Sequence, residues 1–292
     1  MYIKFYKIDL MKNNNIRIYS SENIYKQGMV SIFRNMIANI FENKELIWQL
    51  FLRDFKARYK QSLLGWVWIF LMPFITMGTF LLLNISGVIK IGEIPVPYPI
   101  FGLLGFSLWQ IFSNGWAVLT RSITGASVLV THINFPKEVL IFSSIGQVIV
   151  DFLIRLILVL VVYLIYGLLP TVWILLLPLY LLPLILITLG LGFFTTILNV
   201  VIRDTIHFIS VGMSFFLFLM PIMYTIPEKG ILAQFNKFNP FFFLINTPRS
   251  LIISGYTEFW LEFVISSLLA IIIFVFGWLI FYVVQPKLVE RI

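Results

Sequence analysis

Asp151 and Arg155 are oppositely charged residues inside a segment that is otherwise strongly apolar. They are four positions apart, so on a helix both side chains lie on one face and can neutralise each other. Ionisable groups within a membrane are energetically costly and are candidates for function, such as ion-coupled transport. The alternative is a structural ion pair that faces the helix bundle, because proton-coupled carriers usually contain more than one such carboxylate. The sequence leaves both interpretations open.

Motifs for nucleotide or metal chemistry are absent from the sequence. It contains no GxxxxGK[ST] phosphate loop, no GxGxxG after a strand and no HExxH. His132 and His207 are far apart and lack clustered carboxylates, and there is no cysteine. We therefore predict no catalytic residue, no metal site and no cofactor in this chain. If the chain performs vectorial transport, the energy is then expected to come from a partner.

Aromatic residues make up 17% of the sequence and could line a path for sugars. Aromatic rings stack on the apolar faces of pyranoses, while neighbouring polar groups bond the hydroxyls. Each ring taken alone can instead be structural, because Trp and Tyr gather at membrane interfaces. The candidate pathway residues, which lie on three predicted spans, are Trp66, Trp68, Trp109, Trp116, Phe215, Phe216 and Tyr224.

The composition predicts that lipid surrounds most of the chain that carries these residues. Of the 292 residues, 60% are hydrophobic and 12% are charged, whereas soluble domains contain about 25% charged residues. Residues 61–89, 94–120, 156–202 and 263–286 contain no Asp, Glu, Lys or Arg. A helix crosses the hydrocarbon with about 20 apolar residues, and these continuous runs differ from alternating barrel strands. The sequence therefore predicts an all-α membrane protein.

Six transmembrane helices are predicted, with both termini in the cytoplasm. More than half of the 21 Lys and Arg residues precede residue 61, and positive charge favours the cytoplasmic side. The net charge of +8 thus indicates that the chain is anchored and oriented in the cytoplasmic (inner) membrane. Its distribution does not favour a nucleic-acid partner. This topology places three basic residues outside the cell, which departs from the preference of positive charge for the cytoplasmic side: Lys229, Lys237 and Arg249. The predicted spans are 65–86, 98–119, 139–166, 172–199, 206–226 and 260–284.

Residues 42–62 are predicted to form an amphipathic helix in the plane of the membrane surface. Apolar residues recur there at helical spacing between basic residues, which suits contact with anionic lipid. An amphipathic helix on a soluble domain is the alternative, but no soluble core is available to receive it. The predicted organisation is a cytoplasmic extension at 1–41, the interfacial helix, the membrane domain at 63–286 and a cytoplasmic tail at 287–292.

The external segment 227–258 is too apolar for a hydrated loop and is interrupted by Pro240 and Pro248. Two re-entrant half-helices in the outer leaflet would explain both features. Irregular backbone at that depth is tolerated where it is buried in protein or lines a cavity. We therefore expect this segment to cover the outer mouth of a pathway.

Two cytoplasmic connections could dock another protein. In the first, Pro136 disfavours helix at Phe135, so a short helix followed by Lys137 and Glu138 would form a rigid protrusion. The second contains the adjacent pair Arg203 and Asp204. The charges in both connections could equally be simple orientation signals.

Six ordered motifs make the chain resemble the permeases of polysaccharide ABC exporters, over about residues 45–285. These permeases export O-antigen, capsule or wall teichoic acid. The motifs include an RY-x-x-[ST]-x-L-G-x-x-W pattern that ends the interfacial helix, and each alone is weak. In this sequence they are Arg58-Tyr59 to Gly65-Trp66-Val67-Trp68 with Pro73, Gly105 with Trp109, Phe135-Pro136-Lys137-Glu138, Asn199 to Arg203-Asp204, Pro221 with Tyr224, and Asn239-Pro240 with Arg249.

The resemblance implies a homodimer of six-helix subunits with the pathway on the dimer axis. Two ATP-binding cassette subunits would dock on Arg53, Arg58 and Tyr59 of the interfacial helix and on the two cytoplasmic connections. Asn239, Pro240 and Arg249 would belong to the outer gate. The cargo implied is a polysaccharide on a lipid carrier, and membrane lipid surrounds the subunits.

Three other functions are compatible with parts of this pattern. An ABC exporter of the same architecture could carry a drug or a lipid. A membrane enzyme of glycan assembly would need carboxylates or Arg clusters at one face, and the loops offer few. An ion-coupled carrier would depend on Asp151 and would show inverted repeats, which are not evident.

Overall fold

The computed structural model describes residues 28–60, 65–88, 91–226 and 229–288. Two predicted docking residues, Arg58 and Tyr59, and one predicted pathway residue, Trp66, have side chains that lie outside the described set. In the described part the helices are α1 (Met29–Glu42), α2 (Lys44–Lys60), α3 (Gly65–Ile85), α4 (Tyr98–Arg121), α5 (Ser127–His132), α6 (Glu138–Ile165), α7 (Leu177–Val201), α8 (Thr205–Leu219), α9 (Ile231–Lys237), α10 (Pro240–Ser254) and α11 (Trp260–Leu288).

Three helical segments are long and apolar enough to cross a membrane by length and composition. They are Glu138–Ile165, Val172–Val201 and Trp260–Leu288, and the second joins a 3₁₀ turn to α7. Two shorter apolar helical stretches are Leu71–Ile85 and Thr205–Leu219. The chain is therefore a helical membrane protein, as its composition predicts.

The helices pack around α4, which contacts α6, α7, α8 and α10. Lipid tails are as apolar as core side chains, so close packing between helices takes over the role that hydrophobic burial has in water. Small residues permit it: a Cβ on Gly115 of α4 would lie 3.1 Å from Thr188 of α7 and 3.3 Å from Val148 of α6. α7 and α11 also cross closely, at Gly190 and Gly277.

The helix α8 ends earlier than the sequence pattern predicts. The predicted fifth span continues to residue 226, whereas α8 ends at Leu219. Pro221 explains the difference, because proline disfavours helical backbone at the residue before it. Residues 220–224 then continue as buried, non-helical chain. Such a segment inside a membrane protein needs partners for its free carbonyl groups.

Candidate functional site

Six aromatic side chains from four helices form one contiguous cluster, in which some rings stack and others meet edge to face. Trp109, Phe112 and Trp116 follow one face of α4, and the Phe112 ring centroid lies 5.7 Å from that of Trp109 and 5.6 Å from that of Trp116. Phe241 of α10 stacks on Phe112 at 4.3 Å. Phe216 of α8 is tilted against Trp109 at 5.8 Å and meets Phe241 edge to face at 5.9 Å. Phe235 of α9 lies 6.1 Å from Phe216. We call these six residues the aromatic ladder: Trp109, Phe112, Trp116, Phe216, Phe235 and Phe241.

The aromatic ladder gathers three of the predicted pathway residues and adds three that were not predicted. Trp109, Trp116 and Phe216 were predicted, whereas Phe112, Phe235 and Phe241 were not. Phe112 could have been found, because it lies three residues after Trp109 and four before Trp116. Phe235 and Phe241 carry no such signal, since their position depends on how α9 and α10 fold back.

The other predicted pathway residues lie apart from the ladder. Trp68 of α3 and Phe215 of α8 are exposed. Tyr224 is buried after the end of α8, where its hydroxyl donates to the Phe218 carbonyl at 2.7 Å. Phe80 of α3 stacks on Phe218 at 5.6 Å, so α3 and α8 are neighbours. We call the exposed rings on these two helices the outward aromatic face, comprising Trp68, Phe74, Phe208, Phe215 and Phe218.

A polar seam joins the last turns of α4 and α7 below the ladder. The Trp116 indole donates to Thr195 Oγ1 at 3.0 Å, and the Thr195 and Thr120 hydroxyls lie 2.6 Å apart. Asn199 Nδ2 donates to the Thr120 carbonyl at 3.1 Å and to Thr124 Oγ1 at 3.0 Å. Hydrogen bonds between helices are favourable in a membrane because water does not compete for them. The seam therefore holds Trp116 in a set orientation.

Arg249 supplies donors to the broken end of α8. It lies on α10 and is buried, and its Nη1 donates to the Ile222 carbonyl at 2.7 Å. Its Nη2 donates to the Pro221 carbonyl at 3.2 Å and to Asn246 Oδ1 at 2.5 Å. The guanidinium also lies 4.2 Å from the centroid of the Phe101 ring on α4. One side chain thus ties α4, α10 and the irregular segment together.

Asn239 and Pro240 begin α10. Asn239 Oδ1 caps the helix by accepting from the Phe241 amide at 3.1 Å, and Pro240 takes the first helical position, where its missing N–H has no cost. Asn236 Nδ2 on α9 donates to the Leu219 carbonyl at 2.9 Å. The two short helices are therefore folded against the end of α8, beside Arg249.

The predicted docking element at residues 135–138 is buried. Glu138 Oε1 accepts from Asn39 Nδ2 of α1 at 2.9 Å, and Oε2 accepts from Gln285 Nε2 of α11 at 3.3 Å. The Lys137 ammonium donates to the Ile133 carbonyl at 3.1 Å and lies 4.2 Å from the centroid of the Phe135 ring. Burial lowers the pKa of Lys137. The element thus fixes the C-terminal end of α5 and clamps α1 to α11.

We predict that Glu138→Ala loosens α1. Two buried side-chain amides would lose their shared acceptor, and each unsatisfied polar group costs about 1–3 kcal/mol. Trypsin should then cut at Arg34, on α1, several times faster than in the unchanged protein. Glu45→Ala, an exposed acidic residue on α2, is the matched control. Equal cleavage of the two variants would contradict the clamp.

Exposed polar groups that a partner could contact lie outside the buried 135–138 element, on α2, at the end of α5 and between α7 and α8. Arg53 is exposed on α2 and pairs with Asp54 at 2.7 Å. Arg203 and Asp204 are exposed between α7 and α8, and His132 is exposed at the end of α5. These residues, together with α5, offer a surface that a second protein can reach.

Asp151 and Arg155 lie on the buried side of α6, with Arg155 Nη2 at 3.9 Å from Asp151 Oδ2. This distance and their burial fit an ion pair turned toward the protein interior. Within the part of the chain that the structure describes, no three His, Asp or Glu residues lie close enough together to hold a metal ion.

The described part of the chain is a bundle of apolar helices, three of them long enough to cross a membrane, with an irregular segment that is covered by protein. The profile of the ABC-2 type transporter family matches residues 45–253. The chain therefore belongs to the ABC-2 type transporter family and is a permease subunit of the type-2 ABC exporter class, which confirms the resemblance found in the ordered motifs.

Curated relatives include permeases named for O-antigen export. The O-antigen export system permease protein RfbA of Myxococcus xanthus is 29% identical over 219 residues, covering 74% of this chain and 83% of the relative. Two proteins of that name from Klebsiella pneumoniae are 26% and 24% identical over 208 residues, covering 70% of this chain and 78% of each relative.

Proposed function

We propose that this chain forms half of the channel of an ATP-driven exporter that moves a lipid-linked polysaccharide, such as O-antigen, capsule or teichoic acid, across the cytoplasmic membrane. Two copies would pair, and two ATP-binding cassette subunits would supply hydrolysis with ATP and Mg²⁺. The names of the relatives support a polysaccharide cargo. The single observation that carries the proposal is the aromatic ladder.

The ladder suits a cargo of many similar sugar units. Stacking on an aromatic face is favourable but tolerant of sugar identity, so successive residues can slide without one tight site that would stall the polymer. Trp116 and Phe216 are only partly buried, so their rings can be reached from outside the protomer. With the outward aromatic face of α3 and α8 turned toward the second copy, the pathway would run between the two protomers.

In this proposal α3, α4, α6, α7, α8 and α11 are six spans, and both termini lie in the cytoplasm. The helices α9 and α10 are then the re-entrant half-helices of the outer leaflet, and Asn239, Pro240 and Arg249 hold the outer gate in its closed form. Opening would require α10 to move relative to α8. Arg249 of α10 couples the two helices, because it donates to the Pro221 and Ile222 carbonyls that follow α8.

The ATP-binding subunits would contact α2, α5 and the Arg203–Asp204 connection. Arg53, Arg58 and Tyr59 would provide the contacts on α2. We propose that the buried residues Phe135, Pro136, Lys137 and Glu138 act behind this surface, because hydrogen bonds from this element reach α1, α11 and the end of α5. The Asp151–Arg155 pair then has a structural role in the bundle.

Transport in inverted membrane vesicles tests the proposal. Vesicles that contain this chain and its ATP-binding subunit should take up lipid-linked glycan only when ATP and Mg²⁺ are present. Trp116→Leu and Phe216→Leu should each lower uptake about two- to tenfold, because a stacking contact of about 0.5–1.5 kcal/mol is lost at each step. Phe276→Leu, an exposed ring on α11, is the control and should transport normally.

The results also separate the alternatives. Uptake without the ATP-binding subunit would sink the proposal in favour of an ion-coupled carrier, and in that case Asp151→Asn should abolish it. Hydrolysis stimulated by a drug or a phospholipid, but not by glycan, would indicate another cargo for the same architecture. Formation of new glycosidic bonds by this chain alone would indicate an enzyme of glycan assembly.

A further inference from the structure

A pocket of about 270 Å³ lies between α2 and α6, away from the aromatic ladder and the outer segment. Ile47, Trp48 and Phe51 form the α2 wall, and Gly146 and Ile149 belong to the α6 wall. Gly146 brings the two helices together, because a Cβ there would lie 3.1 Å from Phe51 Cδ2. The walls are therefore mostly carbon and contribute little hydrogen bonding.

The pocket opens onto a continuous apolar strip of α6. Ile149 is both a lining residue and exposed, and Leu153 and Ile157 are exposed at successive turns beyond it. Residues four apart lie one above the other on a helix. The strip therefore leads from the pocket along the length of α6, and a flexible hydrocarbon chain can occupy both at once.

The rim of the pocket carries a positive charge. Lys44 is an exposed lining residue and takes part in no ion pair among the residues that the structure describes. Arg53 on the same helix differs, because it pairs with Asp54 at 2.7 Å. Glu42 and Glu45 are close in sequence, but neither lines the pocket. An ammonium group above an apolar groove is complementary to a lipid with an acidic headgroup.

The surroundings of the pocket are also suited to a membrane surface. Ile37 and Phe41 of α1 and Trp48 of α2 are large apolar residues that are exposed on the two helices. Trp prefers the headgroup level of a bilayer, where its ring is apolar and its N–H can bond. With the topology proposed above, on which this step rests, the pocket lies in the cytoplasmic leaflet.

We propose that this pocket binds one anionic phospholipid, such as phosphatidylglycerol, as a bound structural lipid of the permease. The phosphate contacts the Lys44 ammonium, and Trp48 lies at the level of the glycerol and ester groups. One acyl chain enters the pocket and continues over Ile149 and Leu153. The lipid thereby fills the gap between α2 and α6 and joins α2 to the N-terminal half of α6.

Native mass spectrometry of the purified full-length chain tests the site. The protein is released from micelles that contain equal amounts of phosphatidylglycerol and phosphatidylcholine, and the retained lipids are counted. Phosphatidylglycerol should be retained in preference. Lys44→Gln should lower that retention about fivefold, the effect of one lysine at a charged lipid surface. Lys56→Gln, an exposed lysine of α2 outside the pocket, should have little effect.

A second pair of variants tests the acyl-chain part of the site. Ile149→Trp should fill the open side of the pocket and lower retention of phosphatidylglycerol, whereas Leu268→Trp, an exposed residue of α11 outside the pocket lining and outside the acyl-chain path, should not. Equal losses for Lys44→Gln and Lys56→Gln, or equal retention of the two lipids, would overturn the proposal. The assay contains neither glycan nor ATP-binding subunit, so its failure is distinct from a failure of the export function.

Discussion

Arg249→Ala is expected to lower the free energy of unfolding by about 3 kcal/mol or more, because it leaves buried acceptors without donors. The Pro221 and Ile222 carbonyls belong to non-helical chain and lose the guanidinium that bonds them. Pro221 and Ile222 are buried, so the two carbonyls would be left as unsatisfied acceptors inside the protein. Asn246 and the Phe101 ring lose their contacts with the guanidinium at the same time.

Arg249→Lys should give an intermediate loss. Lysine keeps the positive charge, but its single ammonium cannot reproduce the planar fork that reaches three acceptors. Unfolding by sodium dodecyl sulfate in mixed micelles, followed by Trp fluorescence, measures the differences. Lys237→Ala removes an exposed cation from α9 in the same segment and should leave stability unchanged. If Arg249→Ala proved as stable as this control, the irregular segment would not depend on Arg249.

Gly190→Ala is expected to destabilise the bundle by about 3 kcal/mol, at the upper end of the usual cost of overpacking. A Cβ at Gly190 would lie 2.7 Å from the carbonyl carbon and oxygen of Ile273 and from the amide nitrogen of Phe274. These are backbone atoms, so no side-chain rotation can relieve the overlap. α7 and α11 would have to move apart along a long shared interface. Gly277→Ala, whose Cβ would meet the Gly190 backbone, should behave in the same way.

Gly212→Ala provides the matched control for these two substitutions. It lies on α8, and a Cβ there has no neighbour within 4 Å. Alanine is also the better helix former by about 0.5–1 kcal/mol. The same micelle assay should therefore show no loss, or a small gain, for Gly212→Ala. A comparable loss in all three variants would mean that the close crossing of α7 and α11 does not determine stability.

Several parts of the fold could be predicted because hydropathy is a property of local sequence. Charge-free runs predicted the apolar helices, and the bounds of α4, α6 and α11 agree with the predicted spans to within about four residues. The end of α8 was missed, although Pro221 is visible in the sequence. Its neighbours Ile222, Met223 and Tyr224 are as apolar as a helix that crosses a membrane, so composition alone extended the span through them.

The sequence predicted three ladder residues, Trp109 and Trp116 on α4 and Phe216 on α8, but not the contacts that bring them together. Trp109 and Trp116 lie two turns apart on α4, and both were predicted. The contacts that organise the site join distant residues instead, such as Asn39 with Glu138 and Trp116 with Thr195. No spacing rule relates such pairs, because their distance depends on how separate helices pack.

The sequence by itself determined that this chain is a helical membrane protein without a recognisable nucleotide-binding motif, and its ordered motifs determined the family. Long apolar runs have one stable form in lipid, since only a helix satisfies its own backbone there. Only the tertiary structure decided that the residue 135–138 element is buried, that six rings form one ladder, and that Arg249 bonds the broken end of α8. Each of these depends on which faces of the helices meet, and close packing between small and aromatic residues determines that choice.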